Sequence, residues 1–414
     1  MALNNTTITT MGLLSEIVYN DKKDEDGVPI NYFEKDYTFS VNGTTYTVKD
    51  FANTPNNMQA LLLESGGQYV IAFRGTAGWI DALVDGVIGL DNINGQYADA
   101  VAFVNKALAL PEVSKSNLTL TGHSLGGILT QQVGATLGLN GYAYNPYGVD
   151  RLLSMMPNSP LNAILDIALY NIMKSSGLGA SEAAWAKEHI VNVSTNDFGI
   201  IHGDILSNLV TQLTSGHLGV YLPVYGVDTF WGHSMPDLNI AIAHYNTILS
   251  HFTDKNYALL TAAYVSVGSY EKTEKIFSDV GLKNASGVFN DNISGLSFNF
   301  LTDDSALYIA TQAKTNSAVL YALSKLNPFA IEGNLPAYAN LNRTDMSDKY
   351  LEDRAQYLYY FLDRTHRYDV DPTLTMNHYE YAALGAAYTL KQLFSRSRVF
   401  FGVEFKSKNV RSAA

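Results

Sequence analysis

A five-residue segment, GHSLG at positions 122–126, constrains this chain more than any other feature. It follows an apolar run, 118–120, typical of a β-strand, and precedes a stretch with helical character, 127–137. Such a sharp strand-to-helix turn lifts the hydroxyl of Ser124 above the sheet, and the flanking glycines let the two backbones pass without a Cβ clash. We therefore predict that Ser124 is a nucleophile and that the N–H of Leu125 faces a developing oxyanion.

The rest of the first 250 residues predicts the fold around this turn. Strand-like runs rich in aliphatic and aromatic residues alternate with helical patterns. The runs are Ala60 to Leu63, Tyr69 to Phe73, Leu118 to Thr121, Tyr142 to Tyr144 and Ile190 to Val193. Such alternation predicts an α/β fold with a mostly parallel sheet covered by helices on both faces, in which ligands bind beyond the carboxyl ends of the strands.

A second motif, AFRGT at positions 72–76, ends one of the predicted strands. Two converging N–H groups stabilise negative charge that appears only in a transition state. Thr76, through its N–H and its hydroxyl, is the candidate for the second donor of an oxyanion hole. The alternative interpretation makes Arg74 a salt-bridge partner and the following Gly75 and Thr76 an ordinary turn.

Together, AFRGT and TGHSLGG resemble the class 3 lipases and the related bacterial secreted lipases and phospholipases A1. The stretch YNPYGV at 144–149 is also similar to a strand-end segment of these enzymes. The resemblance implies an α/β-hydrolase core, an oxyanion donor after the first motif, and an acid and then a base after the serine. It further implies hydrolysis of carboxylic esters without a required cofactor. Some of these lipases carry structural calcium, for which the sequence assigns no residues, so no metal site is predicted.

A serine nucleophile needs a histidine base and a carboxylate that orients the imidazole. Asp197 follows the predicted strand 190–193, and the pair Asn196-Asp197 resembles the acid segment of the secreted lipases. His233, in WGHSM, has loop-like surroundings and resembles their base segment. We predict the triad Ser124, Asp197 and His233. The alternatives are Asp204 for the acid and His202 or His217 for the base.

Two amphipathic segments flank these motifs. Apolar residues recur at helical spacing over 80–88, which predicts either a lid over the site or a helix docked permanently on the sheet. The second segment, 159–172, begins with Ser159 and Pro160 and resembles a cap that shapes an acyl-chain pocket. The alternative for most of its side chains is ordinary core packing. The predicted substrate contacts are Trp79, His123, Leu161 and Leu165.

The chain has 414 residues, and its character changes near residue 250. We predict a catalytic domain over 1–250 and a mainly helical annex over 251–414. The clearest late helix begins after Ser347 and places Leu351, Ala355, Leu358 and Leu362 on one face.

Composition limits the partners and the location. A net charge of −12 argues against nucleic-acid binding, and the absence of cysteine excludes a thiol nucleophile. No apolar stretch approaches the ~18 residues of a membrane-spanning helix, and the amino terminus lacks the pattern of a signal peptide. We expect either secretion without a cleavable signal peptide or a cytoplasmic protein.

These features predict a carboxylic ester hydrolase, a lipase or phospholipase A1, that acts on lipid or another ester at an interface. Two alternatives stay open. One is a non-catalytic accessory module of a larger secreted protein, because residues 347–368 resemble stretches beside lipase-like domains in long bacterial toxins. The other is an acyltransferase on the same fold, which would prefer an added alcohol over water as acceptor.

Overall fold

The computed structural model describes residues 5–19, 31–75, 88–146, 180–195, 218–226, 234–301, 306–339, 341 and 346–363. Within them, eight strands form one sheet in sequence order, β1 to β8, and two more form a small antiparallel pair. The strands are β1 Thr38–Val41, β2 Thr44–Asn53, β3 Gln59–Ser65, β4 Gln68–Phe73, β5 Leu118–His123, β6 Asn140–Tyr144, β7 Ile190–Thr195, β8 Val220–Val224, β9 Ser297–Phe300 and β10 Phe329–Glu332.

Helices connect the later strands and make up most of the described residues after β8. The described helices are α1 Asn5–Ile17, α2 Ile88–Leu108, α3 Leu125–Leu137, α4 Ala180–His189, α5 Met235–Ser250, α6 Tyr257–Val267, α7 Tyr270–Asp279, α8 Ala306–Gln312, α9 Ser317–Lys325, α10 Pro336–Ala339 and α11 Asp348–Asp363. The α/β class that the sequence predicts is confirmed, and all five predicted strands are present.

The sheet is mixed: β1 to β4 pair antiparallel, and β4 to β8 pair parallel. Connection length agrees with this change of direction, because β1–β2 and β3–β4 are joined by two-residue turns, which can join only antiparallel strands. The β1–β2 turn is Asn42-Gly43, where both residues have positive φ, 53° and 74°. This Asn-Gly pair is a strong hairpin signal that the sequence analysis missed.

Strand β8 was also missed, and the reason lies in its position in the sheet. It contains Pro223, whose lack of an N–H argues against a central strand. Among the described strands, β8 pairs only with β7, and it therefore lies at the edge of the sheet. A proline is tolerated at an edge because no neighbour on that side requires its N–H.

Both faces of the sheet are covered by helices, as predicted. One face packs α2 and α3 against β3, β4 and β5 through a core that includes Phe73, Val104 and Leu129. The other face packs α1, α5 and α6 against β6, β7 and β8. Helix α1 is held to the sheet by a hydrogen bond between Ser15 Oγ and Thr121 Oγ1 at 2.7 Å.

The chain after residue 250 shares the second of these cores, because Tyr257, Tyr264 and Phe277 belong to the same buried cluster as Val193. The predicted late helix is present as α11, with Leu351, Ala355 and Leu358 buried. Ser347 caps it, as predicted, by accepting from the N–H of Tyr350 at 3.1 Å. The domain boundary at 250 stays a prediction. Within the described ranges, no helix combines the length and the apolar character needed to cross a bilayer.

Candidate active site

The carboxyl ends of β4, β5, β6 and β7 meet at one edge of the sheet because these strands run parallel. Four described residues lie there, and we call them the Ser124 edge. Gly75 follows β4, Ser124 follows β5, Asn145 follows β6 and Thr195 ends β7. In sheets of this kind, this is the edge at which ligands bind.

Ser124 has a backbone conformation that residues other than glycine rarely adopt, with φ 57° and ψ −122°. Its N–H donates to the carbonyl of Tyr144 at 2.9 Å, and its own carbonyl accepts from the N–H of Ile128 at 3.1 Å. Ser124 is 1% exposed, and its hydroxyl has no hydrogen-bond partner among the described residues. The strained backbone and the buried hydroxyl each cost about 1 to 3 kcal/mol. Such costs cluster at functional sites, where the surrounding structure holds the residue in place.

Gly122 and Gly126 make this turn sterically possible. A Cβ on Gly122 would overlap the carbonyl of Gly126, and a Cβ on Gly126 would overlap the carbonyl of Phe73 in β4. Both obstacles are backbone atoms, which cannot rotate away as a side chain can. The steric role that the sequence analysis gave to the two glycines is therefore confirmed.

Gly75 brings the end of β4 against the same turn. A Cβ there would lie 2.7 Å from the carbonyl oxygen of His123 and 3.1 Å from Ser124 Cβ. Thr76 comes next in the chain but lies outside the described residues, so its part in an oxyanion hole stays a prediction. Leu125 is the first residue of α3, where N–H groups have no partner within the helix, and the Ser124 side chain does not cap that helix.

His123 is buried beside Ser124 and contacts a residue that the sequence analysis missed. Its Nδ1 is 2.6 Å from the hydroxyl of Tyr19, just after α1, and the two rings meet edge to face. A Cβ on Gly75 would overlap the same hydroxyl. Tyr19 therefore reaches the Ser124 edge from more than 100 positions away in the sequence, and no local pattern marks it.

Arg74 also lies beside Tyr19, with its guanidinium carbon 5.7 Å from the ring centre. Its guanidinium donates to Gln59 Oε1, and its N–H donates to the carbonyl of Gln59 at 2.9 Å. Among the described residues, the partner of Arg74 is thus an amide and an aromatic ring rather than the carboxylate of a salt bridge.

Tyrosines line the buried face beneath the edge, and they carry no charge near neutral pH. Burial raises the pKa of Tyr142 to about 12 and that of Tyr144 well above its ordinary value. The Tyr144 hydroxyl donates to the carbonyl of Ile8 in α1. Neither of these two tyrosines therefore supplies an ionised group of the predicted triad.

The remaining predicted site residues lie outside the described residues: Asp197, His233, Trp79, Leu161, Leu165 and the alternatives Asp204, His202 and His217. Their flanks are described. Thr195 ends β7 two positions before Asp197. Ser234, which follows His233, caps α5 by accepting from the N–H of Asp237 at 3.3 Å. The predicted acid and base thus stay predictions, adjacent to fixed elements of the fold.

The other described histidines have structural surroundings away from this edge. The ring of His189 stacks on Trp185 at the opposite end of β7. His244 bonds Glu274 at 3.0 Å, and His251 Nδ1 bonds the carbonyl of Ile293 at 2.7 Å. Across the described ranges, no three His, Asp or Glu side chains converge as metal ligands would.

Comparison with known proteins connects this edge to phospholipases. Residues 10–163, which include Tyr19, both sequence motifs and Asn145, match a family described as the Tle-like phospholipase domain, itself grouped as phospholipase-like. The chain is also similar to the extracellular phospholipase A1 of Serratia liquefaciens, with 29% identity over 185 residues. That alignment covers 42% of this chain and 54% of the relative, so the chain spans about half the length of the relative.

The resemblance that the motifs predict is therefore confirmed at the level of bacterial phospholipases and lipases. The two comparisons support a lipid ester hydrolase as the class of protein. The geometry adds a strained, buried serine at a strand-to-helix turn, held by glycines that nothing larger can replace.

Proposed function

We propose that this chain hydrolyses a carboxylic ester of a phospholipid, with the specificity of a phospholipase A1, and that Ser124 is the nucleophile. One observation carries the proposal: the hydroxyl of Ser124 is buried, strained into position and without a partner among the described residues. The similarity to a Tle-like phospholipase domain and to an extracellular phospholipase A1 supports the choice of substrate.

In the first half of the reaction, the imidazole of His233 takes the proton of Ser124 as Oγ attacks the ester carbonyl carbon. The carbonyl oxygen becomes an oxyanion held by the N–H groups of Leu125 and Thr76. The bond to the glycerol oxygen then breaks, and His233 gives its proton to that oxygen, which releases a lysophospholipid. Asp197 orients His233 and balances its transient positive charge.

In the second half, His233 takes a proton from water as the water oxygen attacks the acyl-enzyme. Collapse of this second oxyanion releases the fatty acid, and the proton returns to Ser124 Oγ. No cofactor enters either half. The oxyanion donors act twice, so their loss should slow both steps.

The substrate is bound at a lipid surface in this proposal. The segment 80–88 acts as a lid whose apolar face meets the interface, and 159–172 shapes the acyl pocket through Leu161 and Leu165. Trp79 and His123 contact the substrate near the reacting ester. We propose secretion as the location, since the similar phospholipase A1 is named as extracellular.

The test uses vesicles of phosphatidylcholine with a different acyl chain at each glycerol position. Wild-type protein is expected to release the chain from the first position and to be labelled by a fluorophosphonate, and Ser124→Ala is expected to do neither. Release from the second position would contradict the A1 assignment. An unlabelled and inactive wild type, with and without calcium and detergent, would overturn the enzyme and favour an accessory module.

Ser194→Ala is the matched control. Ser194 is also 1% exposed and also has an unpartnered hydroxyl among the described residues, but it lies within strand β7. Its replacement should leave turnover and labelling intact. An alcohol added to the assay distinguishes a hydrolase from an acyltransferase on the same fold. The acyltransferase would form the new ester faster than it releases fatty acid.

A further inference from the structure

The geometry points to Asn145 as a positioning residue that holds the acid of the proposed triad, an inference that rests on the proposed function. Asn145 is fully buried directly after β6 and has φ 40°. It is therefore the second residue on the Ser124 edge, after Ser124 itself, that has positive φ without being glycine. Asparagine tolerates this conformation better than most residues.

Backbone pairing between β6 and β7 ends at Tyr144 and Val193. Beyond that pair, Asn145 continues the connection in two ways. Its N–H donates to the carbonyl of Val193 at 2.8 Å. Its side-chain Oδ1 accepts from the N–H of Thr195 at 2.8 Å and from the Thr195 hydroxyl at 3.3 Å. The side chain thus supplies the acceptor that a straight β6 would have supplied from its backbone.

Because the side-chain oxygen replaces the backbone carbonyl as acceptor, β6 can turn away while β7 continues for two more residues. Thr195 is then held on both sides, by Asn145 and by its pairing with Val224 in β8. Asp197 lies two positions further on, so the fixed end of β7 determines where its carboxylate begins. On the other side, the N–H of Ser124 donates to the carbonyl of Tyr144, the residue before Asn145.

A continuous set of hydrogen bonds therefore runs from the nucleophile through the end of β6 to the strand that carries the acid. Small errors of position at a catalytic group reduce turnover strongly. Asn145 contacts neither substrate nor reacting atoms in this role, because it acts through Thr195 on Asp197.

Asn145→Gly is the variant of choice, since glycine adopts φ 40° freely and the change removes the side-chain amide that carries the Oδ1 acceptor. We expect kcat on phosphatidylcholine vesicles to fall about tenfold with KM within about twofold of wild type. The acidic limb of the pH profile should move to lower pH, because a displaced carboxylate stabilises the imidazolium less.

The deciding measurement is a double-mutant cycle, in which kcat is compared for Asn145→Gly, Asp197→Asn and the variant that carries both changes. If Asn145 acts through Asp197, adding Asn145→Gly to Asp197→Asn lowers kcat less than twofold further, whereas independent effects would multiply. Asn192→Ala is the control, because Asn192 is an equally buried amide in β7 whose Nδ2 donates to the carbonyl of Leu218 at 2.9 Å. Its effect on kcat should not depend on Asp197.

Multiplying losses for Asn145→Gly, or a lower melting temperature with unchanged kcat, would overturn the positioning role alone. A wild type without turnover would overturn the proposed function and this role with it. Should Asn145→Gly fail to fold, Thr195→Val removes one of the two bonds and carries the same cycle, with an expected two- to threefold loss of kcat that disappears in Asp197→Asn.

Discussion

Two regions of this protein withdraw polar side chains from water, and they treat the hydrogen bonds of those side chains in opposite ways. At the Ser124 edge, a hydroxyl is buried without a partner among the described residues, on a strained backbone. On α7, the partly buried carboxylate of Glu274 accepts from three donors: His244 Nε2 at 3.0 Å, the Tyr264 hydroxyl and Lys283 Nζ. The first arrangement costs stability, and the second makes burial of a charge tolerable.

The pKa of Glu274 expresses this compensation. Burial alone raises the pKa of a carboxyl group, but the hydrogen bonds and charge of His244, together with hydrogen bonds from Lys283 and Tyr264, outweigh it and lower the pKa to about 2. Glu274 and Lys283 are 14% and 10% exposed, so water screens the pair little. The carboxylate of Glu274 is thus satisfied by its neighbours, whereas the hydroxyl of Ser124 has no partner among the described residues.

The largest effect should come from Ser124→Gly, which separates activity from stability. Loss of the proposed nucleophile should lower turnover at least about 10³-fold. Glycine accepts φ 57° without strain, so the free energy of unfolding should stay unchanged or rise by up to about 1 kcal/mol. Vesicle hydrolysis and urea denaturation measure the two quantities. A clear loss of stability would contradict the strain assigned to Ser124.

Glu274→Gln should give the opposite result. Removal of the charge leaves the partly buried Lys283 and His244 without their carboxylate partner and should lower the free energy of unfolding by about 2 to 4 kcal/mol near neutral pH. Turnover of the folded fraction should be unchanged. Equal free energies of unfolding for wild type and Glu274→Gln at pH 7 would show that the charge of Glu274 does not stabilise the fold.

The same comparison has a defined pH dependence. A pKa lowered from 4.5 to about 2 means that Glu274 contributes stability above pH 4.5, and that this contribution disappears as the pH falls towards 2. The interval corresponds to roughly 3 kcal/mol. The stability difference between wild type and Glu274→Gln should therefore shrink as the pH falls from 4.5 to 2, as measured by denaturation at each pH.

A smaller effect is expected at Tyr19, which bridges α1 and the Ser124 edge. Tyr19→Phe removes the hydrogen bond to His123 Nδ1 and should lower kcat/KM about three- to tenfold, a loss of about 1 kcal/mol. Tyr97→Phe is the matched control, since its hydroxyl bonds Thr136 at 2.9 Å on the other face of the sheet. If both variants lose the same activity, the Tyr19 contact has no special part at the site.

The smallest effect should come from an exposed ion pair on the helix that carries Glu274. Lys275 and Asp279 lie one turn apart on α7, and their side chains are 69% and 41% exposed. Lys275→Ala should change the free energy of unfolding by less than about 0.5 kcal/mol, and added salt should reduce that change further. A loss comparable to that of Glu274→Gln would show that burial is not what distinguishes the two pairs.

Local features of the sequence were sufficient where neighbouring residues decide the outcome. The turn around Ser124 could be predicted because Gly122 and Gly126 lie within two positions of it, and the central strands because their apolar runs are continuous. The Ser347 cap was equally local. Strand β8 was missed because a proline is tolerated only in an edge strand. The local sequence around Pro223 does not show that β8 lies at the edge of the described sheet.

By itself, then, the sequence determined the α/β class, the strand-to-helix turn and the nucleophile candidate, because each depends on backbone sterics and periodicity over a few residues. Only the tertiary structure decided that Tyr19 meets His123 and that Asn145 holds Thr195. Those contacts join residues 104 and 50 positions apart, and they form only when parallel strands bring their carboxyl ends to one edge. The physical reason is that residues so far apart in sequence come into contact only after the strands between them have paired into the sheet.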